Sequence, residues 1–135
     1  MNKAAVNQYL SELLYNILMH DLFFAEFVNL VAESGYESKI HTLLTARLRL
    51  LSTLGILVTK AKEFENIGQG LFSMHLTGKD FNIRILFSFL PNGRPVLLLA
   101  FGEKHGKQKT NYSSHIPPAL ARLNEFKEEY ANGNI

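Results

Sequence analysis

The sequence predicts an α+β domain: N-terminal helices, then a small antiparallel sheet, then a C-terminal helix. Three observations carry this. Apolar residues recur every three to four positions through the first 54 residues. The period then shortens, and Gly78-Lys79-Asp80 and Pro91-Asn92-Gly93 mark two tight turns between apolar runs. A last stretch from Ile116 to Tyr130 returns to helical spacing, with Pro117 and Pro118 in its first turn, where a missing N–H costs little.

Taken in order, Ala4 to Met19 places Val6, Leu10, Leu13, Leu14, Ile17 and Leu18 on one face and reads as a helix. Residues 1–20 are thus expected to be an additional N-terminal helix. Asp21 is expected to cap a second helix carrying Phe23, Phe24, Phe27, Val28 and Val31, stopped by Ser34-Gly35. A third runs from Glu37 to Leu54 with Ile40, Leu43, Leu44, Leu48, Leu51 and Leu54 inward. Arg47 and Arg49 mark its polar side, and Gly55 its end. Thr59 to Gly70 reads as a polar connection. Leu71–Thr77, Phe81–Leu90 and Pro95–Phe101 follow as strands, the last so continuously apolar that it should be buried on both faces and central. A polar loop from Gly102 to His115 leads into the final helix.

A chain of 135 residues holds one core, so residues 1–135 are read as a single domain. The hydrophobic fraction of 47% and charged fraction of 19% are those of a globular protein. With no cysteine, thiol nucleophiles, disulfide frameworks and Cys-based zinc sites are excluded. Apolar runs such as Pro95–Phe101 fall short of the ~20 residues that span a bilayer, and Asn7, Gln8, Ser11 and Glu12 interrupt any signal-peptide core. No membrane association and a cytoplasmic location are the expectation.

The net charge of +2 conceals an asymmetry. Residues 71–115 carry six basic side chains against Asp80 and Glu103, a balance of +4, whereas the segments on either side each balance at −1. Three of the five histidines, His75, His105 and His115, share the positive stretch. An anionic partner is one reading of such a distribution, a solvated face the other.

Familiar phosphate and metal motifs fail on inspection. Gly78-Lys79 has Ser73 where a phosphate loop needs its first glycine, and Gly106-Lys107 has Phe101 there; neither is followed by Ser or Thr. The histidines at 20, 41, 75, 105 and 115 have no zinc-helix spacing, and a GxSxG elbow is absent. No metal and no cofactor are therefore expected.

The most distinctive stretch is the loop Lys104-His105-Gly106-Lys107-Gln108-Lys109-Thr110-Asn111-Tyr112, a basic segment at the end of an apolar strand. Arg84 interrupts the apolar strand Ile83-Arg84-Ile85-Leu86-Phe87, either as a snorkelling side chain or as a guanidinium set to receive an anion. If Lys79-Asp80 forms a two-residue turn, Gly78 pairs with Phe81 and His75 falls opposite Arg84 on one face.

The succession Gly70-Leu71-Phe72-Ser73-Met74-His75-Leu76, Ile83-Arg84-Ile85-Leu86-Phe87, Val96-Leu97-Leu98-Leu99-Ala100-Phe101 and Lys104 through Thr110, closed by a helix with Ala119 and Arg122, resembles the phage-derived HigB-type toxins of the RelE/ParE superfamily. The resemblance covers about Phe23 to Tyr130. It implies the toxin of a type II toxin–antitoxin pair: a metal-independent endoribonuclease that cuts mRNA on the ribosome, inhibits translation and is silenced by a cognate antitoxin, a helix-turn-helix protein in the same reading. A ParE-like inhibitor of DNA gyrase and a non-catalytic binding member are the alternatives within the family.

On that resemblance Arg84 corresponds to the strand arginine that meets the scissile phosphate. Lys104 and Lys107 correspond to the loop lysines that stabilise charge or protonate the leaving oxygen. His105 supplies proton transfer near neutral pH, and His75 stands where the family has an arginine. Lys79, Lys109 and Tyr112 are expected RNA contacts, Tyr112 by stacking on a base. Two departures stand out. Ser73-Met74-His75 replaces a Glu-Leu-Arg strand, and a helical N-terminus replaces the strand with which relatives often begin.

Overall fold

The computed structural model describes residues 16–103 and 110–135. Their elements are β1 (Leu18–Met19), α1 (Asp21–Ser34), α2 (Glu37–Leu54), a 3-10 helix (Gly55–Lys60), β2 (Phe64–Gly68), β3 (Leu71–Thr77), β4 (Asn82–Phe89), β5 (Pro95–Gly102) and α3 (Ile116–Ala131). The fold is α+β in three layers. One mixed five-stranded sheet, ordered β1-β5-β4-β3-β2, carries α1 and α2 on one face and α3 on the other.

Two expectations need correction. Leu18 and Met19, expected in a helix from Ala4 to Met19, instead form a short strand parallel to Val96 and Leu97. The exposed edge of β5 offers backbone groups there that a helix could not satisfy, and His20 N–H donates to the Leu97 carbonyl at 2.9 Å. The remainder of that expected helix, residues 1–15, lies outside the described residues. The connection from Thr59 to Gly70 is likewise not a loop throughout. It contains part of the 3-10 helix and the edge strand β2, whose Phe64-Glu65-Asn66-Ile67-Gly68 is too polar to register as a strand without its partner β3. The antiparallel meander of three strands is thus the core of a larger mixed sheet.

Both long N-terminal helices start and stop where the sequence places them, with one change of cap. His20, not Asp21, caps α1: its Nδ1 accepts from the Leu22 N–H at 3.1 Å. Gly35 closes α1 at φ 76°, the left-handed conformation that glycine adopts without strain. Segment Glu37–Lys60 is, by length and composition, long and apolar enough to cross a membrane, although polar residues interrupt it. In the fold its Ile40, Leu48, Leu51 and Val58 are buried against the sheet.

The β3–β4 turn is tight. A Cβ on Gly78 would lie 2.4 Å from the end of the Phe81 ring, so a larger residue there requires the ring to shift. Gly78 N–H donates to Phe81 O at 2.9 Å, which closes the two-residue turn and sets the register Thr77↔Asn82, Leu76↔Ile83 and His75↔Arg84.

Strand β5 is buried from Pro95 to Phe101, as its composition demands, although it lies second from the edge and β4 is the middle strand. Its register slips by one residue: Leu86 faces Leu99 but Phe87 faces Leu97. The bulge turns both Leu98 and Leu99 toward α3. The Leu98 carbonyl accepts from Arg122 at 2.9 Å, and the Ala100 N–H donates to Glu26 at 3.1 Å. Arg122 and Glu26 pair with each other at 2.8 and 2.9 Å. One ion pair therefore joins α1 to α3 around the sheet edge and satisfies the β5 groups that β1 is too short to reach.

Candidate functional site

The site is built on the α3 face of the sheet, where the row His75–Arg84–Phe101 crosses β3, β4 and β5. His75 N–H donates to Glu63 O and His75 O accepts from Arg47, so both backbone groups point away from β4. His75 and Arg84 are therefore a non-hydrogen-bonded pair, the closer kind, with Cα atoms about 4.5 Å apart. Imidazole and guanidinium rise side by side.

Tyr112, at the far end of the basic loop, folds back onto this row. Its hydroxyl donates to Glu65 Oε1 at 2.9 Å and lies 3.0 Å from Ser73 Oγ and 3.5 Å from His75 Nε2. An ionised carboxylate only accepts, so the single phenolic proton goes to Glu65 and Ser73 can supply its own. Glu65 Oε1 is also 3.3 Å from His75 Nε2. The Tyr112 ring meets Phe101 edge-on, while His115 stacks flat on Phe101 with centroids 3.7 Å apart.

Electrostatics divide the roles. Burial is the main reason that the His75 imidazole sits below its ordinary value; the neighbouring Arg84 and, less strongly, Arg47 push the same way against Glu65. At neutral pH it is a free base. Burial likewise pushes the Tyr112 phenol up, with Glu65 adding to the rise, so it stays protonated. Burial also lowers His115. Arg84 Nη1 donates to Thr77 Oγ1 at 3.3 Å, and its buried Nε has no hydrogen-bond partner among the described residues. A buried donor left in that state is costly.

His75, Arg84 and Tyr112 are thus brought together. Lys79 is not: it is exposed at the β3–β4 turn and lines a shallow groove with Ser38, Lys39 and Thr42 of α2, on the other side of the sheet. Lys104, His105, Lys107 and Lys109 lie outside the described residues. Both chain ends that lead to them are fixed at the site, since Glu103 N–H donates to Asn82 O at 2.8 Å and Tyr112 holds the other end. Among the described residues no group of three or more His, Asp or Glu side chains could hold a metal ion.

Three contributors escape a reading of the sequence. Glu65 lies in the stretch read as a connection, and Ser73 is a small polar residue whose burial only the fold reveals. Arg47 reads as part of the polar side of its helix, yet it stands four residues from both Leu43 and Leu51 on the apolar stripe. That spacing was a usable signal. It is half-buried and reaches β3, where its Nε donates to His75 O at 3.1 Å.

No protein-family model and no curated protein matches the sequence.

Proposed function

We propose that the chain is the toxin of a type II toxin–antitoxin pair, a cytoplasmic endoribonuclease that cleaves mRNA presented by the ribosome and is held inactive by a cognate antitoxin. The observation that carries this reading is the His75–Arg84 cross-strand pair, with Glu65 and Tyr112 closing on the same imidazole. Cleavage by an internal 2′-OH needs a base for that proton, a cation for the phosphorane and an acid for the departing 5′ oxygen.

Neutral His75 takes the 2′-OH proton as the oxygen attacks phosphorus, and the Glu65 carboxylate stabilises the imidazolium that forms. The Arg84 guanidinium binds the equatorial oxygens through its Nη groups as negative charge accumulates. His105 or a lysine at 104 or 107 protonates the leaving 5′ oxygen. The products are a 2′,3′-cyclic phosphate and a 5′-hydroxyl. The small net charge gives weak affinity for free RNA, so the ribosome supplies the substrate.

The test is incubation of the purified chain with programmed ribosomes, followed by mapping of RNA ends. Cleavage leaving 5′-hydroxyl ends, lost in His75→Ala and Arg84→Ala, supports the proposal. Intact mRNA accompanied by double-strand DNA breaks in expressing cells replaces it with the gyrase-inhibitor reading.

A further inference from the structure

The two nitrogens of the His75 ring meet different surroundings. Nε2 lies 3.3 Å from Glu65 Oε1 and 3.5 Å from the Tyr112 hydroxyl. Nδ1 has no hydrogen-bond partner among the described residues, and the side chain keeps 23% of its surface exposed.

The protons available decide which nitrogen carries the hydrogen. The Tyr112 hydroxyl donates to Glu65 at 2.9 Å, so it brings none to the ring. A carboxylate and a bare ring nitrogen are both acceptors, and 3.3 Å apart they repel unless a hydrogen lies between them. That hydrogen is on Nε2. A neutral imidazole has only one, so the lone pair is on Nδ1.

The geometry points to Glu65 as the positioning residue of the site: it holds His75 as the Nε2–H tautomer and leaves Nδ1 as the atom that takes a proton from the substrate. The substrate in this inference rests on the nuclease reading; the tautomer does not. Glu65 stands on the edge strand β2 opposite Ser73 and diagonal to His75, on the same face of the sheet. Its Oε1 is held by the Tyr112 hydroxyl, which in turn touches the buried Ser73 at 3.0 Å. The other charges facing the ring are Arg84 from β4 and Arg47 from α2, and both oppose the imidazolium. Neither can accept a hydrogen bond, so Glu65 is the charged acceptor for Nε2–H among the described residues.

During cleavage the 2′ oxygen gives its proton to Nδ1 as it bonds to phosphorus. The bond from phosphorus to the 5′ oxygen breaks, and that oxygen keeps the electron pair and takes a proton from the acid of the basic loop. His75 is then an imidazolium whose Nε2–H still faces Glu65. No proton passes to the carboxylate.

Long-range 1H–15N correlation spectra of the 15N-labelled chain at pH 7.5 distinguish the two tautomers, and His75→Gln assigns the signal. The unaltered chain should show the Nε2–H pattern for His75. In Glu65→Ala the Tyr112 phenol loses its acceptor and turns its hydrogen to Nε2, so the Nδ1–H pattern should grow in. Glu65 is half exposed, and an unchanged circular dichroism spectrum shows that the variant folds. In the ribosome assay Glu65→Ala should lower the cleavage rate at saturating substrate by ~10²-fold. The acid limb of its pH profile should move to lower pH, because the carboxylate favours the imidazolium. A glutamate with a merely structural role would change neither the tautomer nor that limb. An Nδ1–H pattern in the unaltered chain, one pattern with and without Glu65, or an unmoved acid limb overturns the proposal. A ring that is Nε2–H only while Glu65 is present, in a chain that leaves ribosome-bound mRNA intact, overturns the nuclease reading and leaves Glu65's hold on the ring standing.

Discussion

Arg47 Nε donates a 3.1 Å hydrogen bond to the carbonyl of His75, one residue beyond the β2–β3 pair Phe64↔Met74. One side chain from the far helix layer thereby completes the backbone of the central site residue and places a positive charge behind its ring.

Removing Arg47 should loosen and recharge His75 together. Arg47→Ala is expected to cost about 1–2 kcal/mol for the uncovered carbonyl and to raise the His75 pKa, because the arginine's charge disfavours the imidazolium. Arg47→Lys should retain most of the charge effect. Histidine resonances followed by NMR across pH 5–8 report the shift, and an unchanged His75 titration in Arg47→Ala refutes the charge argument.

Arg84 should trade stability for function. Its buried, unpartnered Nε means that Arg84→Met, which keeps the aliphatic stem, is expected to be neutral or stabilising by ~1 kcal/mol. Loss of phosphorane stabilisation should cut RNA cleavage by ~10²–10³-fold. Thermal melts and cleavage assays on one preparation test both halves, and a variant that is both unstable and inactive contradicts the first.

Tyr112 and Ser73 should behave as a coupled pair. Tyr112→Phe removes the hydroxyl beside the fully buried Ser73, and a cost of ~1–2 kcal/mol is expected. Ser73→Ala in the Tyr112→Phe background should then cost little more. A double-mutant cycle by urea denaturation gives the coupling, and strict additivity would mean that the contact contributes nothing.

Acid should destabilise the fold through His75 and His115. Both are held below the ordinary 6.5, so below that pH the unfolded chain binds protons that the folded chain refuses. Their stabilising contribution is complete above 6.5 and is lost as pH falls toward the lowered folded values. Denaturation midpoints measured from pH 7.5 to 5 should decline, and His75→Gln with His115→Gln should flatten the decline.

The legible parts of the fold were those with strong local signals. The helices from Asp21 to Ser34 and Glu37 to Leu54 and the Gly78 turn follow from periodicity and turn chemistry, and the His75↔Arg84 register follows once that turn is two residues long. Strands β1 and β2 were hidden, because two residues in one and a polar five-residue run in the other become strands only when a sheet edge offers them partners.

The site divides along the same line. Sequence by itself offered the cation–imidazole pair on one condition, a two-residue turn at Lys79-Asp80, and the Gly78 N–H to Phe81 O bond meets that condition. The Tyr112, Glu65 and Ser73 contacts were decided by tertiary structure alone, as was the approach of Arg47 from 28 residues away. The reason is range. Backbone geometry fixes which residues face each other across a turn, but only the packing of α2 and the loop end against the completed sheet sets which distant polar groups are left to satisfy one another.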